Sequence, residues 1–320
     1  MAASDEIPFQ DSGPRTLKVR RGTGDRVFRS MSLGSGLVSF FIVAATLGYL
    51  LWYSWPVLHT NGLSFFTSSV WRPTGTSPKV GILGLLTGTV MIAVVAMCLA
   101  FPVSFALALF IHEYAPKKLR RSMVYVVDLM AALPSLIYGL WGFFVLQKPL
   151  KGVAHWLATN LSVVPLFKPA EDYASSTFIG AVVVGIMAMP ICTAVMREIF
   201  SQVPTEHCEA ALALGGTRWG MVKTAIIPFS KSGMVGAGLL GLGRAIGETI
   251  AVSLLVALTF APKIGILGLG GSSVAATIAT QFGQNVDTDR ALTGAGLGLF
   301  VVTLLTNMAA QSIVKRSRQQ

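Results

Sequence analysis

The chain has 320 residues, 53% of them apolar and only 12% charged, against roughly 25% charged in an average soluble domain. With 33 glycines and 15 prolines besides, this excludes a soluble enzyme, a disordered regulator and a disulfide-stapled secreted domain, and fits an all-α integral membrane protein. The net charge of +11 argues for no nucleic acid partner, because the basic residues fall between the apolar runs as the positive-inside rule requires.

Residues 1–31 are expected to form a polar, basic tail on the cytosolic side. The uncharged run from Leu33 to Trp55 exceeds a signal-peptide core of about 7–15 residues. It is therefore taken as a first transmembrane helix, forming with its outer loop a segment over 32–82. The second run, Val80 to Ile111, has 32 residues. As one helix it measures about 48 Å against a hydrocarbon core of about 30 Å, so with Pro102 inside it a kink, a break or a protruding end is expected. The third span is placed at Met123 to Leu146, with Asp128 near its start and Pro134 inside. Asp128 lies seven residues beyond Arg121, near the cytosolic interface, where a packing role is favoured over transport. The fourth span is placed at Ser176 to Met196, the fifth at Met234 to Phe260 and the sixth at Ala291 to Val314.

A cytosolic loop over 201–229 thus interrupts a five-helix core over 83–314, and 315–320 form a basic end. Six crossings leave both termini on one side. With the termini placed in the cytosol, 17 basic residues fall inside and seven outside, Arg244 being the remaining one; this bias sets the orientation.

Within the loop, Thr205 is expected to cap a short helix with Glu206 in its first turn. Glu209-Ala-Ala-Leu-Ala-Leu214 consists of strong helix formers, and Gly215 and Gly216 end the run. Thr217 is expected to cap a second helix that runs to Pro228, ahead of span five.

Span five carries Gly243-Arg-Ala-Ile-Gly-Glu-Thr249. A charge at the bilayer centre costs about 2.5–3.5 kcal/mol on insertion scales. Arg244 and Glu248 are four apart, so on a helix they share a face and can pair. Gly243 and Gly247 then form a small-xxx-small face for close helix packing. Two compatible readings stand. The pair is structural, gluing helices together, or Arg244 offers its planar fork of donors to an anion in transit while Glu248 keeps that binding weak.

No Gly-Lys dipeptide occurs, so there is no Walker A loop. His112-Glu113 begins like a zinc-protease motif, but Pro116 stands where the second histidine belongs. Neither the histidines at 59, 112, 155 and 207 nor the cysteines at 98, 192 and 208 have metal-like spacing. No catalytic centre or metal is expected, so a partner must supply any energy.

Glu209-Ala210-Ala211, Gly215 six residues after the Glu, and Ile227-Pro228 resemble the EAA loop of type I ABC importer permeases. Ala225 departs from the isoleucine usual there. Pro134-Ser-Leu-Ile-Tyr138-Gly-Leu-Trp-Gly142 and the span-five motif narrow the resemblance to the permease subunits of phosphate-specific ABC transporters. Trp71-Arg72-Pro73, Gly81-Ile82 and Thr87-Gly88-Thr89 point to their PstC type.

The resemblance implies a type I permease fold with six transmembrane helices in the bacterial cytoplasmic membrane. It implies a PstA-like second permease, two copies of a PstB-like ATPase that hold the ATP and magnesium, and a PstS-like binding protein. This chain then binds no cofactor of its own. Glu209, Ala210, Ala211, Gly215, Ile227 and Pro228 become the ATPase contact. Arg244, Glu248 and Thr249 become the substrate path, and Pro134, Ser135, Tyr138, Gly243, Gly247 and Asp128 line or pack it. The rivals are a PstA-type sibling and a permease for sulfate or molybdate, because type I importers share the loop.

Overall fold

Hydrocarbon offers no water to backbone N–H and C=O groups, so a chain this apolar satisfies them within helices. The computed structural model describes residues 22–75 and 78–318. The expected basic tail therefore lies largely outside the described residues, as do the last two residues of the basic end.

The chain divides into two compact units, Met1–Tyr49 and Leu50–Gln320. Helix α1 (Thr23–Asn61) runs through the boundary. It begins well before Leu33, so Arg26 and Arg29 of the expected tail are helical. A helix end that projects beyond the hydrocarbon tolerates such charge, and Asp25 in the first turn suits its N-terminus. In the first unit its apolar side chains, Phe28, Phe40 and Phe41 among them, are exposed.

In the second unit, α1 is followed by α2 (Ser64–Thr67) and a two-stranded antiparallel hairpin, β1 (Trp71–Arg72) and β2 (Lys79–Val80). Trp71 of the hairpin stacks on Phe260, with ring centroids 4.9 Å apart. Helix α3 (Leu83–Leu109) continues through a π turn (Phe110–Tyr114) as one 32-residue helix. Pro102 does not break it.

Helix α4 (Lys117–Ala132) ends where a straight third span was expected to continue. Proline disfavours helical backbone in the residue before it, and Leu133 is extended (φ −65°, ψ 136°). Helix α5 (Ser135–Trp141), a π turn (Gly142–Leu146) and α6 (Gln147–Asn160) then set off at 94° to α4. The third span is thus a sharply bent pair rather than one rod.

Helix α7 (Thr177–Ser201), capped by Ser176, is the most deeply buried span. Beyond it come α8 (Thr205–Ala213), α9 (Arg218–Met221), a π turn (Val222–Ile226) and α10 (Ile227–Ile246). Arg218 to Ile246 forms one continuous helix of 29 residues, so Pro228 does not separate the loop from span five. The π turn loosens the backbone just before the proline, whose missing N–H and bulky ring would strain a regular helix. Helices α11 (Ile250–Leu255), α12 (Val274–Gln281) and α13 (Val286–Arg318) complete the chain. Among the described residues five helices are long and apolar enough to cross a membrane, or six if the bent pair counts as one.

The core sits on α3, α7 and α10. Gly185 of α7 lets the backbones of α7 and α3 touch, since a Cβ there would stand 2.9 Å from the Ala96 carbonyl oxygen. Ser104 of α3 donates to the Met189 carbonyl of α7 at 3.0 Å. Cys192 of α7 is buried, and its thiol donates to the Ala237 carbonyl of α10 at 3.4 Å.

Candidate functional site

The helix of span five ends between its two charged residues. Gly247 is the C-cap of α10, and its N–H returns to the Gly243 carbonyl at 3.2 Å. Glu248 and Thr249 then form a short connection to α11, so Arg244 and Glu248 do not share a helix face. Among the described residues they form no ion pair. Glu248 is 6% exposed, and its Oε1 accepts the Ala251 N–H of α11 at 3.3 Å. Its backbone carbonyl accepts from Ser273 Oγ at 3.3 Å. Ser273 also caps α12 by accepting the Ala276 N–H at 3.1 Å. Glu248 therefore holds the break in place rather than Arg244. Thr249, half-buried, donates to the Gly247 carbonyl at 3.1 Å.

Arg244 lines a cavity of about 610 Å³ with Ile191 of α7, Leu239, Leu240 and Gly243 of α10, and Asn307 of α13. Its Nε is buried without a hydrogen-bond partner in the described structure. A buried guanidinium nitrogen with no acceptor is costly, and the side chain as a whole is half-buried and lines the cavity with positive charge. Gly243 faces open space, with no atom of the described chain within 4 Å of a Cβ placed there. Within the described chain the face of Gly243 and Gly247 therefore makes no close contact with another helix. Close approach falls instead to Gly238 against Phe101 and Gly241 against Cys192 and Met97.

The span-three motif meets this break. Tyr138 is buried, and its hydroxyl reaches across the bend to donate to the Met130 carbonyl at 2.8 Å. Gly139 lies against Ala251 of α11, where a Cβ would come within 3.0 Å of the backbone. Arg244 lies within electrostatic range of the Tyr138 hydroxyl. Pro134 is the N-cap of α5, and Ser135 is its first residue. Asp128 stands apart. Its carboxylate pairs with Arg197 of α7 at 3.5 Å, which ties α4 to α7.

The loop forms a second surface. Helix α8 starts at Thr205 itself, with Pro204 as N-cap and no side-chain capping bond. It ends at a glycine in left-handed backbone, Gly215 at φ +82°, a conformation costly for other residues. Thr217 caps α9 by accepting the Gly220 N–H at 3.1 Å. Cys208, Ala211 and Ile227 pack against a buried cluster that includes Phe200, Met221, Val222 and Ile226. Ala210, Ala211 and Pro228 line one cavity of about 560 Å³, so the start and end of the motif face each other. Outward lie Glu209, Leu212, Trp219 and Leu214, the last 90% exposed. Burial and the nearby Glu113 and Glu209 carboxylates raise the Cys208 thiol above its usual range.

Sequence reasoning passed over Ser273 and Asn307. Ser273 gives no signal, being a small hydroxyl near a glycine pair. Asn307 does give one, because an amide in an apolar run is costly unless it has a use.

The family of binding-protein-dependent transport system inner membrane components matches residues 100–319. The phosphate transport system permease protein PstC 2 of Mycobacterium tuberculosis is 37% identical over 297 residues, covering 91% of each chain. The phosphate transport system permease protein PstC of Xylella fastidiosa is 34% identical over 316 residues, covering 97% of this chain and 96% of that one. Among solved structures, a bacterial alginate ABC transporter chain matches with TM-score 0.59 at 16% identity, covering 92% of this chain and 95% of its own. A chain of the inward-facing MetNI methionine ABC transporter matches with TM-score 0.53 at 16% identity, covering 74% and 95%. These two speak for the fold alone.

Proposed function

The chain belongs to the family of binding-protein-dependent transport system inner membrane components, and we propose that it is the PstC-type permease subunit of an ATP-driven importer of inorganic phosphate. The observation that carries this reading is Arg244, a half-buried cation whose Nε has no hydrogen-bond partner, in an otherwise largely apolar cavity within the span-five motif. The full-length likeness to PstC permeases supports phosphate over sulfate or molybdate, and supports the PstC over the PstA type.

In this reading the chain is non-catalytic and binds no cofactor. Its partners are a PstA-like permease, two PstB-like ATPases with their ATP and magnesium, and a PstS-like binding protein. Both termini lie in the cytosol. Phosphate carries one to two negative charges near neutral pH, and each costs about 2.3 kcal/mol per 100 mV of inside-negative potential. The ATPases meet that cost.

The coupling path is short. The ATPase grips Glu209, Leu214 and Trp219, with Gly215 turning the chain between α8 and α9. From Arg218 one helix runs to Ile246, a rod of about 43 Å. Displacement of the loop thus reaches Arg244 along one continuous helix, through the π turn at Val222–Ile226. The rod stops at Gly247, beside the bend at Pro134, so relative movement concentrates where the anion passes.

The test is radiolabelled phosphate uptake in cells lacking their own system, with this chain coexpressed with its three partner types. ATP-dependent uptake that excess sulfate does not inhibit supports the proposal. Uptake shared equally between phosphate and sulfate would reduce it to an unspecified oxyanion importer.

A further inference from the structure

Apart from Arg244, Asn307 is the polar side chain that lines the Arg244 cavity; the remaining lining is aliphatic or glycine. Asn307 sits on α13, where other polar side chains bond back to their own helix. Thr303 donates to the Leu299 carbonyl at 2.8 Å, Thr306 to the Val302 carbonyl at 2.8 Å and Ser312 to the Met308 carbonyl at 2.9 Å. The Asn307 amide makes no such bond among the described residues and is exposed toward the cavity. The chain thus brings two uncommitted donors from two helices to one space. A membrane helix leaves an amide unpaired only at a cost of roughly 1–2 kcal/mol or more.

We infer that Asn307 is a second substrate contact, a neutral station for the same anion that Arg244 attracts. This rests on the phosphate-path reading above. The cavity follows α10 from Gly236 to Arg244, about 12 Å of helical rise, which gives a small anion room to move along it. The roles differ by charge. Arg244 draws the anion in, and a second cation would trap it. The Asn307 amide donates N–H without charge and accepts from a P–OH through its carbonyl, so it replaces lost water without deepening the well. Asn307 acts after the binding protein has docked, so its loss changes the maximal rate and not the apparent affinity for the loaded binding protein.

The experiment uses the complete complex in proteoliposomes, with radiolabelled phosphate on the binding-protein side. Asn307→Leu is expected to lower the maximal uptake rate at least ten-fold, with half-saturation by loaded binding protein unchanged within two-fold and stimulated ATPase activity retained. Asn307→Gln, which keeps the amide, is expected to recover uptake to within about three-fold of the wild type. Wild-type uptake by Asn307→Leu overturns the inference, as does loss of assembly with the second permease, which would assign Asn307 to helix packing. Arg244→Gln separates the two levels. If it still transports, the path reading itself fails. If it is inactive while Asn307→Leu is active, only the second station fails.

Discussion

Replacing Glu248 tests whether its carboxylate holds the helix break or serves Arg244. On a continuous helix it would neutralise Arg244; in the structure it accepts the Ala251 N–H and holds a helix break. Glu248→Ala removes that acceptor. Ala251 is fully buried, so its N–H is stranded at a cost of about 1–3 kcal/mol. Loss of the packed Cγ methylene adds about 1 kcal/mol. The sum of about 2–4 kcal/mol, at roughly 2 °C per kcal/mol for a large chain, lowers the melting temperature by about 4–8 °C. Glu248→Gln keeps an acceptor oxygen and the volume while removing the charge, so it should melt within about 2 °C of the wild type or above it. Scanning fluorimetry of the purified complex in detergent measures both. If Gln is as damaging as Ala, the charge itself matters, and pairing with Arg244 returns as the explanation.

Gly185→Ala drives a methyl to 2.9 Å from the Ala96 carbonyl oxygen and should cost about 1–3 kcal/mol by overpacking the α3–α7 seam, whereas Gly243→Ala meets no atom of the described chain within 4 Å; equal melting temperatures for the two would refute the packing account. Gly215→Ala puts a Cβ at φ +82°, a strain of about 1–2 kcal/mol. It should weaken the stimulation of ATPase activity by loaded binding protein, and full stimulation would show that the turn is not part of the coupling surface. The Cys208 thiol, raised first by burial and then by Glu113 and Glu209, should be alkylated slowly at pH 7.5 in a variant lacking Cys98 and Cys192, with a rate still climbing past pH 9 because the thiolate is the reactive form. A plateau at or below pH 9 would contradict that environment.

The apolar runs place the membrane helices to within a few residues on α7, because burial in hydrocarbon leaves a strong compositional mark. They overextend spans three and five for a common reason: hydropathy records what a segment dissolves in, not where its backbone turns. Pro134 was visible, but its effect falls on Leu133, where extended backbone converts a kink into a 94° bend. Nothing in Gly243-Arg-Ala-Ile-Gly-Glu-Thr249 tells a helix with a salt bridge from a helix that stops at Gly247. The distinction depends on Ser273 and Ala251, brought in from α12 and α11. The glycine faces are no more legible, since small-xxx-small spacing marks a possible contact and the partner helix decides which glycines serve. The loop was more legible because its turn, caps and exposed face are local. Even there Pro204 rather than Thr205 occupies the N-cap position of α8, without a side-chain bond.

In the proposed path Arg244 serves an anion rather than the fold. Reconstituted complexes carrying Arg244→Gln test it most directly, with phosphate uptake and binding-protein-stimulated ATPase measured on the same preparation. The expected result is assembled complexes whose ATPase still responds to the loaded binding protein while uptake falls to background. Uptake at the wild-type rate, or complexes that fail to assemble, would make Arg244 a structural residue and contradict an anion role.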